Sequence, residues 1–206
     1  MGTWSRYVQS HRQRNAALRT APEQAHVWDP ELARDGEVLA ASRAALIDRL
    51  QPYWGRMVRG LAGLDVELSY FRGWSAEASL VDALAESGVR DRARGLTHVG
   101  PHRADVRLRI EGRPAREVLS RGQQKVVAAA LILAQLELLH EAVGLVPTLL
   151  LDDPAAELDR ERLDRFIDVV QRMRCQLVTT SLEPDAGLFG VPERVFHVEQ
   201  GRVQTL

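Results

Sequence analysis

The sequence predicts an α/β fold in which a parallel sheet with helices follows a mainly helical N-terminal region. Three observations predict it. Apolar residues recur at helical spacing from Leu39 to Leu61, which marks a long amphipathic helix. Beyond residue 119, apolar segments come in the order helix, strand, helix, strand, the pattern of a parallel sheet. The strand-like run Val146 to Leu151 ends in two adjacent acids, Asp152 and Asp153, and parallel sheets bind ligands at that C-terminal edge.

Residues 5 to 20 are polar, rich in arginine and free of helix breakers. They predict a helix that is mostly solvated or packed along one narrow stripe, ended by Pro22. Leu39, Leu46, Leu50, Trp54, Met57 and Leu61 follow at helical spacing, in a segment that Pro52 is expected to kink or split. Leu64, Val66, Leu68 and Tyr70 alternate as in a strand, and Ser75 is expected to cap a helix carrying Leu80, Val81 and Leu84, with Gly88 and Gly95 bracketing its end. Gly100-Pro101-His102-Arg103 reads as a turn. Val106, Leu108 and Ile110 before Glu111-Gly112 predict a hairpin. A helix from Ser120 to Ala142, a strand from Val146 to Leu151, a helix from Leu158 to Arg174 and a strand from Gln176 to Thr180 come next. A terminal hairpin turns at Gln200-Gly201.

With 206 residues, 45% of them hydrophobic, the chain can bury a sizeable core as one domain or two small ones. A net charge of -1, from 27 basic and 28 acidic residues, excludes a uniformly cationic nucleic-acid binder and confines any polyanion contact to patches. The lone Cys175 cannot form an internal disulfide, which suits a reducing compartment. The longest apolar run, Val126 to Leu139, is interrupted by Gln135 and Glu137 and reads as too short to span a bilayer. The first residues lack the apolar core of a secretory signal. A cytoplasmic location without a membrane partner is expected.

The chemistry lies between residues 119 and 159. At a sheet edge, Asp152 would hold Mg²⁺ directly or through water, and Asp153 would orient or deprotonate the water that attacks a nucleotide γ-phosphate. The alternative is that two acids simply start a loop. About thirty residues upstream, Leu119-Ser120-Arg121-Gly122-Gln123 opens an apolar helix. Ser120 can cap it, Gly122 lets a phosphate approach the backbone, and the unpaired N–H groups with the helix dipole favour an anion. An ordinary N-cap followed by glycine is the alternative. Ala156-Glu157-Leu158-Asp159 adds a loop whose last acid begins the next helix.

Taken in order, LSRGQ, LLLDD and AELD resemble the signature, Walker B and D-loop of the ABC-type ATPases that include the SMC proteins and RecF. The RecF family fits best. The segment from Thr97 to Asp105 resembles its GPHRAD-type sequence, Tyr7 with Gln13-Arg14-Asn15 and Leu18-Arg19 resembles its arm helix, and Trp28-Asp29, Leu32-Ala33 and Gly36 continue the pattern. The resemblance implies a helical arm over residues 1–95 and the C-terminal part of an ABC-type head over 96–206. It implies ATP and Mg²⁺ as cofactors and a head-to-head homodimer closed through ATP. In that dimer Ser120, Arg121, Gly122 and Gln123 reach the partner's nucleotide, while Asp152, Asp153, Asp159 and Thr180 lie near the chain's own, with Asp152 and Asp153 catalytic and Asp152 the metal ligand. Thr179-Thr180 stands where many such heads carry a switch histidine. Gapped DNA with single-/double-strand junctions and recombination mediator proteins are the implied partners, with Arg6, Arg12, Arg14, Arg19 and Arg103 as candidates for phosphate contact and a solvated face as the alternative.

One departure is plain. Such heads need a Gly-x-x-x-x-Gly-Lys-Ser/Thr loop, and the sole lysine, Lys125, follows Gln124 inside the signature helix. The resemblance places that loop in a lobe preceding the arm. A truncated or split chain is therefore expected, inactive as an ATPase by itself and prone to associate through strand faces that a full head buries. The alternative is a non-catalytic interaction or DNA-binding module.

Overall fold

A computed structural model describes residues 2–182 and 188–206. The chain forms two compact units, one of Met1–Gln51 with Glu67–Pro114 and one of Pro52–Val66 with Ala115–Leu206. The expected division after residue 95 falls inside the first of these.

In the first unit, α1 (Thr3–Thr20) buries Tyr7, Ser10, Arg14 and Leu18, spaced three and four apart, which is the narrow stripe its polar sequence allows. Pro22 opens a 3₁₀ turn, Pro22–Trp28, which runs directly into α2 (Asp29–Ala62). This 34-residue helix contributes to both units and is not split at Pro52. A proline removes one backbone donor from a helix, and here the residues on either side, Leu50 and Trp54, are both buried and hold the segment in place.

Strand β1 (Glu67–Phe71) pairs antiparallel with β2 (Asp105–Ile110), which turns at Glu111-Gly112 into the short β3 (Arg113–Pro114). The helix α3 (Leu80–Arg94) starts one turn later than expected. Its N-cap is Ser79, whose side chain accepts from the Asp82 amide, whereas Ser75 accepts from the Glu77 amide in the preceding loop. Glu37 accepts from the Leu80 amide at 2.7 Å, so a side chain from α2 satisfies a second donor at that end. Gly95 closes the helix with a left-handed φ of 65°, while Gly88 lies within it. Tyr7, Leu32, Ala33, Ala40, Trp74, Leu80, Ala83 and Leu84 form the apolar core of this unit. Gly73 and Gly100 meet backbone to backbone: the Gly100 amide donates to Gly73 O at 3.2 Å, and a Cβ on Gly73 would lie 2.0 Å from Gly100 O. Only glycine allows that approach.

In the second unit, α4 (Ala115–Val118) leads to α5 (Arg121–Val143). Strand β4 (Thr148–Leu151), the short helix α6 (Pro154–Glu157), α7 (Arg160–Arg172) and β5 (Gln176–Thr179) follow, and β4 pairs with β5 in parallel. This is the predicted alternation. A separate hairpin, β6 (Phe196–Glu199) with β7 (Arg202–Thr205), ends the chain. The 23-residue α5 is long and apolar enough to cross a membrane, contrary to the reading of its apolar run as too short. Its buried positions, Val126, Val127, Ala130, Leu133, Ala134 and Leu138, account for part of that apolarity, while Ile132, Leu139 and Val143 are exposed. Its Glu137 and Glu141 accept from Arg56 and Tyr53 of the last part of α2.

Burial in this unit is uneven. Leu149 is buried, but Leu150 and its cross-strand partner Val178 are 72% and 46% exposed, which leaves one face of the parallel pair apolar and open to solvent.

Candidate nucleotide-contact site

The helix α5 begins with a complete capping box. Ser120 Oγ accepts from the Gln123 amide at 3.3 Å, and Gln123 Oε1 accepts from the Ser120 amide at 3.0 Å. The box restrains two side chains while leaving each a donor, the hydroxyl proton of Ser120 and the carboxamide NH₂ of Gln123. Those donors sit at the positive end of a 23-residue helix, where an anion is favoured. Arg121, the first helical residue, is exposed.

A second group gathers at the end of β4. Thr180 Oγ1 donates to Asp152 Oδ1 at 2.6 Å and accepts from the Asp153 amide at 3.1 Å, while the Thr180 amide donates to Leu151 O at 2.9 Å. One threonine thus orients the first acid and ties down the backbone of the second. Asp153 has φ 41°, a left-handed conformation that costs free energy in a residue with a Cβ. The bond to Thr180 holds it there. No cluster of three or more ligating side chains exists among the described residues. That donor set suits Mg²⁺, which keeps several waters and takes one or two carboxylates together with nucleotide phosphates.

The third group joins the other candidates. Asp159 caps α7, accepting from the Arg162 amide at 3.0 Å, and its second oxygen accepts from Arg162 Nη1 at 2.6 Å. The same Nη1 lies 3.1 Å from where a Cβ on Gly122 would stand. Gly122 is therefore faced by a guanidinium, so the close approach to its backbone that the motif predicts is partly occupied from within the chain. Arg162 escaped sequence reasoning. Its only signal is its place three residues after an N-capping aspartate.

The cationic candidates separate by surroundings. Arg14, expected to meet DNA, is 2% exposed and donates to Asp29 Oδ1 (2.6 Å), Asp91 Oδ2 (2.7 Å) and Thr97 Oγ1 (2.9 Å). It belongs to the interior of the first unit, because the fully buried Asp91 and the half-buried Asp29 need its charge. Arg6 is held by Asp35. Arg12, Arg19 and Arg103 are exposed. His102 is structural: it donates through Nε2 to Thr97 O and accepts through Nδ1 from Tyr7 Oη at 2.7 Å. Burial holds its pKa below the ordinary imidazole value. Burial likewise raises the Cys175 thiol, the direction of an unreactive cysteine.

No family model matches the chain. It is 38% identical over 208 residues to the DNA replication and repair protein RecF of Pseudomonas paraeruginosa, and 37% identical over 206 residues to that of Coxiella burnetii. The alignments take in 97% and 98% of this chain but 56% and 58% of those relatives, so the chain spans about half their length. Among solved structures, the recombination mediator protein RecF with ATP, from the RecFOR pathway, superposes with a TM-score of 0.83 at 25% identity over 99% of this chain and 57% of its own. An SMC head bound to a winged-helix domain of ScpA shares the fold at 12% identity, with a TM-score of 0.50. The α/β unit is thus the fold of an ABC-type ATPase head, and over nearly its whole length the chain is similar to RecF proteins.

Proposed function

We propose that the chain works in DNA replication and repair as the signature-and-Walker-B half of an ATP-driven head, binding DNA at single-strand gaps and supporting recombinase loading. The reading is carried by one observation: a single unit holds both a preset pair of donors at the start of α5 and a carboxylate oriented by Thr180 at the end of a parallel strand. In this reading Ser120, Gly122 and Gln123 contact the γ-phosphate of ATP held by a partner head. Asp152, through the oxygen that Thr180 does not engage, would hold Mg²⁺ together with the phosphates. The ion, when bound, would offset phosphate charge in the transition state. Asp153 would position the attacking water. Exposed Arg12, Arg19 and Arg103 are the candidates for DNA phosphates, and mediator proteins of the recombination pathway are the proposed protein partners.

The 206 residues contain no Gly-x-x-x-x-Gly-Lys-Ser/Thr loop, so ATP turnover is assigned to a composite with a P-loop-bearing lobe. The open apolar face at Leu150 and Val178 supports such a composite. The second reading is a module that binds DNA or a partner without turnover. The experiment mixes the chain with a separately expressed P-loop lobe of a RecF relative and measures DNA-stimulated ATP hydrolysis, with Asp153→Asn as control. Hydrolysis that the control abolishes supports the ATPase reading. An inactive mixture, with the chain alone still binding gapped DNA, leaves the module.

A further inference from the structure

We propose that Arg162 is a positioning residue that locks the D-loop acid Asp159 to the first turn of α5 and so fixes where Ser120 and Gln123 present their donors; this deepens the nucleotide reading above and rests on it. Both oxygens of Asp159 are taken by one residue, Oδ1 by the Arg162 amide at 3.0 Å and Oδ2 by its guanidinium at 2.6 Å. An aspartate bound twice by the same partner has one orientation. The guanidinium then continues past Asp159 to lie against Gly122, where an added Cβ would be 3.1 Å from Nη1. Gly122 is the second residue of α5, inside the Ser120–Gln123 capping box.

One side chain therefore joins the first turns of α5 and α7. The absence of a side chain at Gly122 is what admits it. Arginine suits this place where lysine does not, because a planar fork can face a carboxylate and a peptide backbone together while an ammonium is a single point. The pair is also exchangeable, since the Arg162 side chain is 36% exposed and that of Asp159 53%. Phosphate bound at the start of α5 would compete with Asp159 for the same cation. Signature occupancy and the freedom of the D-loop acid are linked by that competition.

The test has two arms. In the first, ¹H–¹⁵N spectra of the 206-residue chain are compared with those of Asp159→Asn, which keeps the α7 cap but drops its charge, and Gly122→Ala. The expected result is crossing: Asp159→Asn shifts the amides of Gly122 and Gln123, and Gly122→Ala shifts the Arg162 side-chain Nε–H. Shifts confined to the substituted helix overturn the proposal. In the second arm, the chain mixed with the P-loop lobe of a RecF relative is assayed with Arg162→Lys, which should raise KM for ATP several-fold more than it lowers kcat. Unchanged KM and kcat overturn the positioning role. If shifts cross between the helices while the wild-type mixture hydrolyses no ATP, the nucleotide reading fails and the link between the two turns stands.

Discussion

Replacing Arg14 with methionine tests whether the first unit is organised around a buried ion cluster. The guanidinium is 2% exposed and lies between Asp29 and the fully buried Asp91. Methionine keeps much of the volume and removes the charge. Asp91 then retains bonds from Ser87 Oγ and from the amide and ring of His98, so its hydrogen bonding is largely kept while its compensating cation is lost. An uncompensated buried charge costs about 3–5 kcal/mol. For a chain of this size that lowers Tm by roughly 6–20 °C. The assay is urea and thermal unfolding of wild type, Arg14→Met, Asp91→Asn and the double variant. The double variant should recover part of the loss, because neutral asparagine needs no counter-ion. A loss below about 1 kcal/mol for Arg14→Met, the typical effect of any point substitution, would refute the argument. So would strict additivity in the cycle. Exposed Arg12→Ala and Arg19→Ala should stay within about 0.5 kcal/mol of wild type, so their effect on gapped-DNA affinity can be read without a folding artefact.

Three further outcomes are expected. Ser120→Ala removes the side-chain half of the capping box and should cost about 1 kcal/mol in unfolding free energy, with Ser120→Asn close to wild type; an Ala variant as stable as wild type would mean that the box does not organise α5. His11 is held down to about 4, first by burial and then by the nearby His102, Arg14 and Arg103 charges. Because the folded state then binds fewer protons than the unfolded one, its contribution is whole above the ordinary value of 6.5 and drains away as pH falls from there to about 4. After discounting for partial exposure this amounts to about 1–2 kcal/mol. Urea titrations between those pH values should show a steeper fall for wild type than for His11→Gln, and equal slopes would refute it. Finally, Leu150→Thr with Val178→Thr keeps β-propensity but removes the open apolar face, so self-association in sedimentation velocity should drop. A wild-type chain that sediments as a sharp monomer at all concentrations would remove the premise.

What was legible in the sequence is what neighbours along the chain decide. The α1 stripe, the Glu111-Gly112 turn, the Ser120 cap and the strand ending at Asp152 each follow from periodicity, turn chemistry or capping within a few residues. Even there a local tie was lost, since Ser75 and Ser79 are both plausible caps and the choice of Ser79 is reinforced by Glu37, a residue far away in the chain. Pro52 shows the same limit, because tertiary packing of Leu50 and Trp54 outweighs one missing backbone donor. The arginines mark the boundary most sharply. Arg14 reads as part of a basic run, yet its partners Asp29 and Asp91 lie 15 and 77 residues on and turn it into an interior ion. Arg162 reads as an ordinary solvated charge, yet it reaches the glycine of the signature motif forty residues back. A motif specifies the residues whose chemistry is local, such as a cap, a turn or an acid at a strand end. The role of a guanidinium is set by which carboxylates and backbones surround it in three dimensions, so in an arginine-rich chain these are the residues whose function waits for the fold.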